Sequence, residues 1–530
     1  MNIYFIGMCI AMIAYVVIGA LVSRQVKDAN DFYVAGRRAP VLLIAGSMIA
    51  SYTSTGMFMG DAAQCYDGVF SSIILFAGMQ SAGYIIGAIF FGRYLRRSKV
   101  LTIPEFFGKR FCSDRMRALS ALTAIIMMSV YLLSVMQGIG TLMHIVTRVD
   151  YNVCIGLALL AFTLITVMSG SRGVLITDTI MSGVFTAALV IAVLFIANSA
   201  GGWFESIHVL SSSPDTAQLL SWSGKPGPLY DTGIQNMVWG LNYGIVWMSV
   251  CMVGPWQSSR YLMAKDEHTV IRSAPISAFG VFILEFLVGM AAVIVIVVNP
   301  NMEDSSQVMI WAAMNMMPVL AGVILLTGVL SAGISSATTF LSLIGASVAN
   351  DMMTVRGKRS VSVGRIAMVI VSAVVFALAV FNPPSIFWIM FLGGAVAASA
   401  WMPVAVASIF SKRVTKAGAF CGMLFGTLGC FGLKLYTSLM GIALPVYLDP
   451  SIVGIVCNVA AMVIVSALTR VTEEEKAARE ELFVVPDSEK KPKEIKKTFI
   501  WMKCSLGLGA VVVLILLIWW VFPYLKYVTG

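Results

Sequence analysis

Long apolar stretches separated by short polar gaps are the feature that most constrains how this chain of 530 residues can fold. Most of them reach the roughly 20 residues that a helix needs to cross a hydrocarbon core of ~30 Å. There are about fourteen such stretches, which predicts an all-α membrane protein. Their approximate bounds are 3–22, 39–66, 71–95, 118–147, 152–170, 174–199, 233–258, 273–299, 306–347, 362–381, 385–411, 414–438, 449–470 and 499–523.

The composition excludes a soluble globular protein and offers no sign of an enzyme. Hydrophobic residues make up 59% of the chain and charged residues 12%, which is about half the charged share of a soluble domain. The nine cysteines are scattered without a C-x-x-C pair, and the three histidines form no H-E-x-x-H motif. We therefore expect neither a metalloenzyme nor a hydrolase.

The distribution of basic residues orients the chain in the membrane. Lys and Arg concentrate in every second gap, for example 24–38, 96–117 and 356–365, whereas gaps such as 67–70 and 299–305 contain neither. Because basic loops stay on the cytoplasmic side, both termini are predicted to lie outside the inner (plasma) membrane. The net charge of +10 is then explained by loops that face anionic lipid, and no nucleic-acid partner is expected.

We expect one membrane domain over residues 1–470, followed by a linker and one further transmembrane helix. The linker, 471–498, is rich in Glu and Lys and is too short and too charged for a catalytic domain. It is therefore predicted to be a solvated cytoplasmic tether. The additional helix would occupy 499–530. Membrane lipid is an expected partner, and the protein could act as a monomer.

Two spans are interrupted by helix-weakening residues. The second contains a run of small hydroxyl residues at 50–56, and the seventh contains glycines at 240–244 and a Gly-Pro pair at 254–255. Freed backbone groups in hydrocarbon cost several kcal/mol each, so such breaks survive where they line a cavity or bind something. Spans 2–6 (about 39–199) and 7–11 (about 233–438) have opposite topologies, and matching breaks in inverted halves predict a transport site. The alternative is that these glycines only permit close helix packing.

The ninth span carries an unusual density of hydroxyl groups. Ser335 and Ser336 follow Ala332 by three and four residues, so all three lie on one helix face. Together with carbonyls freed at Ala50 and Thr53, this face would supply five neutral oxygens. Hard cations prefer oxygen ligands, and uncharged ones suit a monovalent ion, so we predict a sodium site. Hydroxyls that only bond back to carbonyls of their own helix are the alternative.

Ionisable residues inside membrane spans are rare and usually functional. Asp178 opens the sixth span, where it could be functional or could only cap the helix. Glu285 lies near the middle of the eighth span and must be protonated, paired or close to water. A proton or a second cation could bind there. Asp61 and Lys434 lie nearer the outer ends of their spans and could simply reach the interface.

Several short motifs occur in the order that is typical of one transporter family. They are D-F-Y-V-A-G-R-R at 31–38, L-T-I-P-E-F-F followed by K-R-F within 101–111, Thr177-Asp178, the segment 257–265 with Gln257 and Arg260, and R-V-T-K-A-G-A at 413–419. Over about residues 3–470 the chain therefore resembles the sodium:solute symporters, the family that includes carriers of proline, pantothenate, galactose and sialic acid.

The resemblance implies the leucine-transporter fold, with two inverted five-helix repeats in spans 2–6 and 7–11. Asp178 matches a carboxylate close to the sodium site of the family, which helps to bind a second sodium ion in some members. The resemblance also implies the ligands of the coupling Na+, namely the carbonyls of Ala50, Thr53 and Ala332 and the hydroxyls of Ser335 and Ser336.

The substrate region departs from the sugar carriers of this family. They place polar residues just after the first break, where this chain has Gly56-Met57-Phe58. Cys251 replaces an aromatic residue of the proline carriers. A small, moderately apolar and uncharged pocket disfavours sugars and leaves organic acids, amino acids, vitamins such as pantothenate, or quaternary amines. The predicted lining residues, each of which could instead only pack, are Tyr52, Gln80, Gln137, Trp247 and Trp256.

These observations predict a sodium-coupled secondary transporter that imports a small organic solute by alternating access. Proton coupling, through Glu285, is the nearest alternative. A membrane sensor would need a long output extension, and a channel would need a lining ring of charges; the sequence has neither.

Overall fold

The computed structural model describes residues 3–23, 29–227, 229–355, 357–381 and 386–529, and every regular element in these ranges is helical. Thirteen of the described helices are long and apolar enough to cross a membrane, and Val41–Tyr52 is a shorter apolar helix. The prediction of an all-α membrane protein is confirmed.

The first half of the chain forms ten α-helices. Short π-helical segments at Gly56–Asp61, Cys65–Val69 and Ala88–Gly92 connect some of them. The helices are α1 (Ile3–Ser23), α2 (Ala29–Val34), α3 (Val41–Tyr52), α4 (Ala62–Gln64), α5 (Phe70–Gly87), α6 (Arg93–Arg97), α7 (Ile103–Arg110), α8 (Asp114–Thr147), α9 (Tyr151–Ser199) and α10 (Trp203–Ser212). Helix α9 is sharply kinked at Gly170 (φ +58°, ψ −166°), so it contains two membrane spans, Tyr151–Met168 and Gly170–Ser199.

The second half forms the remaining thirteen. The single apolar stretch 306–347 contains two of them, α14 and α15, because the chain turns before Pro318. The helices are α11 (Gly233–Val253), α12 (Pro255–Met263), α13 (Glu267–Val298), α14 (Val308–Asn315), α15 (Val319–Ala346), α16 (Lys358–Phe381), α17 (Ile386–Phe410), α18 (Lys416–Thr427), α19 (Leu433–Met440), α20 (Pro450–Leu468), α21 (Glu473–Glu481), α22 (Pro492–Leu516) and α23 (Phe522–Thr529).

The predicted break in the second span is present. Helix α3 ends at Tyr52, and Thr53 adopts an extended backbone (φ −65°, ψ 114°) before the helix resumes at Gly56. Farther along, Gly68 has a φ of +115° and bends the chain between the second and third spans. A side chain at Gly68 would be strained, since only glycine adopts this conformation readily.

The seventh span confirms only one of its two predicted breaks. Helix α11 runs without interruption through Gly240 and Gly244, so no break occurs there. These glycines instead allow close packing, because a Cβ on Gly240 would lie 2.9 Å from Ser72 Cβ. At Gly254 the backbone does leave the helix (φ −55°, ψ 137°), and Pro255 begins α12.

Four membrane segments form a bundle next to the break at Thr53. Helix α5 packs against both α11 and α13, and the segment that follows the break at Thr53 completes the group. Helices α8, α9 and α15 pack against one another beside it. We call the first group the four-segment bundle: Gly56–Val69, α5, α11 and α13.

The charged linker is folded against the rest of the protein, which differs from the solvated tether that its composition predicts. Glu475 of α21 is 1% exposed, and its Oε1 accepts a hydrogen bond from the Lys416 amide at 2.6 Å. The Arg110 guanidinium donates to the Glu475 carbonyl at 3.0 Å. The charge composition of the linker could not reveal that its carboxylate and carbonyl groups bond to Lys416 and Arg110 of the membrane domain.

Helix α22 packs against α13 of the four-segment bundle. The chain also forms hydrogen bonds with the rest of the protein near the start of α22 and just after its end. Near its start, the Arg272 guanidinium of α13 donates to Thr498 Oγ1 at 2.9 Å. Near its end, the Trp520 indole donates to the Leu220 carbonyl at 3.0 Å. Leu220 lies in the connection between α10 and α11.

Candidate ion and substrate sites

The structure brings the five residues of the predicted sodium site together. The Ser335 hydroxyl donates to the carbonyls of Ala50 and Ala332, each at 2.9 Å, and the Ser336 hydroxyl donates to the Thr53 carbonyl at 3.4 Å. All five residues are completely buried. The Ser335 hydroxyl therefore bonds to a carbonyl of its own helix and also to a carbonyl of the broken span. It combines the local bonding and the contact across helices that the sequence left as alternatives.

The break at Thr53 explains why these oxygens face one another. Since α3 ends at Tyr52, the carbonyls of Ala50 and Thr53 are not consumed by the ladder of a continuous helix. The Thr53 hydroxyl forms no hydrogen bond with any residue that the structure describes, although it is buried. Uncharged carbonyl and hydroxyl oxygens in a desolvated pocket fit the chemistry of a monovalent hard cation.

Asp178 is held by an ion pair. Its Oδ2 lies 2.8 Å from Arg260 Nη2, and the side chains of Asp178 and Arg260 are 0% and 2% exposed. The same oxygen accepts a hydrogen bond from the Ser47 hydroxyl at 2.8 Å, and Arg260 Nη2 also donates to Thr339 Oγ1 at 2.7 Å. Asp178 lies inside the helical part of α9 that follows the kink at Gly170, and not at its first residue, so it does not act as an N-cap.

This ion pair adjoins the five-oxygen site. Ser47 lies one helical turn before Ala50 on α3, and Thr339 lies one turn beyond Ser335 on α15. A movement that separates α3 from α15 would therefore strain both groups at once. Asp178 Oδ1 accepts no hydrogen bond from the described residues.

The predicted aromatic lining residues meet around a residue that was not predicted. The Tyr131 ring centroid lies 5.9 Å from that of Trp247 and 5.4 Å from that of Trp256, and Tyr52 lies 5.4 Å from Trp247. The Tyr131 hydroxyl lies 3.1 Å from Ser54 Oγ, directly beside the break. We call Tyr52, Tyr131, Trp247 and Trp256 the aromatic group.

The two predicted glutamines lie apart from each other. Gln80 of α5 lies beside Glu285, in the four-segment bundle. Gln137 is buried on α8, where the next residue, Gly138, packs against the side chain of Thr55. The indole nitrogens of Trp247 and Trp256 have no hydrogen-bond partner among the described residues. These two indole N–H groups are therefore available to donate hydrogen bonds to a solute.

The aromatic group is closed off from both faces of the membrane. Tyr52 is 3% exposed and Trp247 is 1% exposed. On the side of the basic loops, the Ala39 amide donates to the Met263 carbonyl at 3.1 Å. On the other side, the Tyr243 ring lies 5.3 Å from that of Phe391. The conformation is therefore a closed one.

Sequence reasoning missed Tyr131 and the role of Arg260. Arg260 appeared only as part of a motif, yet a buried carboxylate such as Asp178 needs a cation, and Arg260 lies in α12, the short helix that follows the break at Gly254. Tyr131 left no such signal, because one tyrosine in a long apolar helix is typical of ordinary packing.

Comparisons with known proteins agree with this geometry. Residues 32–426 match the profile of the Sodium:solute symporter family. The chain belongs to the sodium:solute symporters. Membership of this family supports sodium-coupled transport of a small solute.

Two relatives of this symporter have bacterial sources. It is 24% identical over 451 residues to the "Sodium/proline symporter" of Salmonella typhimurium, covering 81% of this chain and 87% of that protein. It is 25% identical over 488 residues to the "Osmoregulated proline transporter OpuE" of Bacillus subtilis, covering 88% of this chain and 94% of that protein.

Solved structures establish the fold of the symporter. A Na+-coupled sialic acid symporter in a substrate-bound, outward-open state superposes with a TM-score of 0.74 at 19% identity, covering 88% of this chain and 98% of that one. The closed conformation of Mhp1, a nucleobase-cation-symport-1 family transporter, superposes with a TM-score of 0.56 at 12% identity, covering 85% and 98%. The predicted leucine-transporter fold is confirmed.

Proposed function

We propose that this symporter imports a small organic solute together with Na+, which binds to the carbonyls of Ala50, Thr53 and Ala332 and the hydroxyls of Ser335 and Ser336. The observation that carries the proposal is the meeting of five neutral oxygens where a broken span touches a serine-bearing helix. Binding of Na+ would join α3 to α15 and complete the neighbouring solute pocket.

The electrical potential supplies part of the driving force. With the basic loops in the cytoplasm, Na+ enters from the opposite side and moves toward the negative interior. Each charge that crosses gains ~2.3 kcal/mol per 100 mV. One Na+ at about −150 mV therefore supports a few-hundredfold accumulation of a neutral solute before any sodium gradient is counted.

Asp178 would couple solute transport to sodium through Arg260. The pair links α9 to α12 and touches Ser47 and Thr339, each one turn from a proposed sodium ligand. Because Arg260 already neutralises the carboxylate, we favour this coupling role over direct binding of a second sodium ion.

The solute would lie against the aromatic group. Its members carry no charge, and the indole nitrogens of Trp247 and Trp256 are free to donate hydrogen bonds. Such a pocket suits a small solute with a polar group and an apolar body. An amino acid fits this description, and proline is the first solute to test because two relatives are named as its carriers.

Replacing Ser336 by alanine tests the sodium site. Removing a ligand oxygen from a desolvated site costs on the order of 1–3 kcal/mol, so the half-saturating sodium concentration should rise about tenfold or more. The measurement is sodium-dependent uptake of labelled proline, then of other small solutes, into liposomes that contain the purified protein.

The matched control for that experiment is Ser342→Ala. Ser342 is also a buried serine of α15, but its hydroxyl bonds to Ser171 at 2.9 Å. Sodium affinity should be unchanged in this control. An unchanged sodium affinity in Ser336→Ala would contradict the assignment of Ser336 as a sodium ligand. Wild-type uptake that does not depend on sodium but is abolished by a protonophore would indicate proton coupling.

Replacing Trp247 by phenylalanine tests the solute pocket. The change keeps an aromatic ring and removes a free indole donor, so the half-saturating solute concentration should rise about five- to tenfold for one lost hydrogen bond. The half-saturating sodium concentration should hardly change. Trp401→Phe is the control, because the Trp401 indole bonds to Thr123 elsewhere. If Trp247→Phe changed the half-saturating concentrations of sodium and solute equally, the solute pocket would lie elsewhere.

A further inference from the structure

Two carboxyl groups meet inside the four-segment bundle. Asp61, at the end of the π-helical segment after the break, is 2% exposed, and Glu285 of α13 is 1% exposed. Their side chains lie side by side, close enough for a hydrogen bond when one of them carries a proton. Asp61 therefore does not reach the membrane interface, contrary to the prediction from its place in the span.

The pair has few polar partners. The Tyr243 hydroxyl donates to Asp61 Oδ1 at 2.7 Å. Neither oxygen of Glu285 accepts a hydrogen bond with good geometry from any described residue, and the Gln80 amide beside it is likewise unpartnered and completely buried. The site thus contains unsatisfied polar groups that are turned toward one another, which is expensive unless something binds between them.

No basic residue among the described ones faces the pair. The other titratable side chains close enough to interact with it come from four separate elements and are all neutral acids. They are Tyr52, Cys65, Tyr131 and Tyr243. The Asp178–Arg260 pair is satisfied separately. The positive charge that two carboxylates need is therefore not supplied by the protein.

Two adjacent carboxylates cannot both be ionised in such a place. Like charges in contact repel, and burial of each unpaired charge costs several kcal/mol. Adjacent carboxyl groups in proteins resolve this conflict by sharing one proton. A multidentate metal site fits less well, because no group of three or more His, Cys, Asp or Glu side chains suitable for a metal occurs in the described ranges.

We propose that Asp61 and Glu285 share one proton and form an intramembrane proton-binding site of this symporter. The site connects to the aromatic group through Tyr243, whose ring centroid lies 6.2 Å from that of Trp247. Loss of the proton, to water or hydroxide when the bundle opens, would push the two carboxylates apart and disturb Tyr243. Proton binding thus adds a pH-sensitive element beside the solute pocket, whichever ion drives transport.

Infrared spectroscopy of the purified protein in lipid nanodiscs tests this directly, because only a protonated carboxyl group shows a carboxylic-acid C=O stretch. The variants are Asp61→Asn and Glu285→Gln, which imitate the neutral acids and keep the bundle neutral. The control is Glu303→Gln, a change of an exposed carboxylate in the loop after α13.

We expect the wild type to show the acid band of a strongly hydrogen-bonded, buried carboxyl group. Both Asp61→Asn and Glu285→Gln should shift or remove that same band, and Glu303→Gln should leave it as it is. A band altered by only one of the two substitutions, by neither, or absent from the wild type overturns the shared proton.

A second arm links the site to transport and uses sodium alone as the probe. Sodium titrations followed by tryptophan fluorescence should give a midpoint that changes with pH in the wild type and much less in Glu285→Gln. An identical pH dependence in both would overturn the connection to the solute pocket. The infrared result needs neither sodium nor solute, so a failed sodium site in Ser336→Ala and a failed proton site are distinguishable.

Discussion

Replacing Arg260 by methionine is expected to lower the free energy of unfolding by about 3–5 kcal/mol, because it leaves Asp178 as an uncompensated charge inside the membrane. Asp178 is completely buried and lies 2.8 Å from the Arg260 guanidinium. The guanidinium also donates to the carbonyl of Trp256 and the hydroxyl of Thr339, so several buried acceptors lose their donor together.

The double variant Arg260→Met with Asp178→Asn separates charge from packing. Replacing both members of a buried pair is often nearly neutral, since the desolvation penalty disappears with the charges. The double variant should therefore recover most of the lost stability, while Arg260→Met alone does not. The measurement is the thermal unfolding midpoint in detergent, with SDS titration as a second readout.

The exposed pair Lys109–Glu481 provides the matched control. Its side chains are 45% and 60% exposed, and such pairs contribute ~0–1 kcal/mol. Lys109→Met should leave the unfolding midpoint nearly unchanged. A wild-type midpoint for Arg260→Met, or a double variant as unstable as the single one, would contradict the view that the pair exists to neutralise Asp178.

Replacing Gly83 by alanine is the second change with a large expected effect. A Cβ on Gly83 would lie 2.5 Å from the Met248 carbonyl oxygen and 3.0 Å from Met248 Cα, which are backbone atoms that cannot turn away. Helices α5 and α11 would have to separate. Overpacking of this kind typically costs about 1–3 kcal/mol, and the close helix contact that small residues permit would be lost.

Gly78→Ala, on the same helix, should act in the opposite direction. No atom lies within 4 Å of a Cβ at Gly78, and alanine stabilises a helix by roughly 0.5–1 kcal/mol relative to glycine. The two variants should thus differ by about 1.5–4 kcal/mol in the same unfolding assay. Equal stability would show that α5 and α11 can separate freely.

The sequence predicted contacts between residues that are close together in the chain better than contacts between residues that are far apart. The grouping of Ala332, Ser335 and Ser336 follows from the helical repeat alone. Their meeting with Ala50 and Thr53, more than 270 positions away, needed the family resemblance as well. Gly240 and Gly254 show the limit of local patterns, because both sit in one helix-weakening span and only Gly254, followed by proline, interrupts it.

The sequence by itself determined that the chain is an all-α membrane protein and which helix bears the serines, because burial in lipid acts on local composition and the helical repeat is a local property. Only the tertiary structure decided that Asp178 pairs with Arg260, that Tyr131 lies at the centre of the aromatic group, and that Asp61 lies beside Glu285. These partners come from different helices. Which side chains meet is set by how the helices are rotated and packed against one another, and no single segment encodes that.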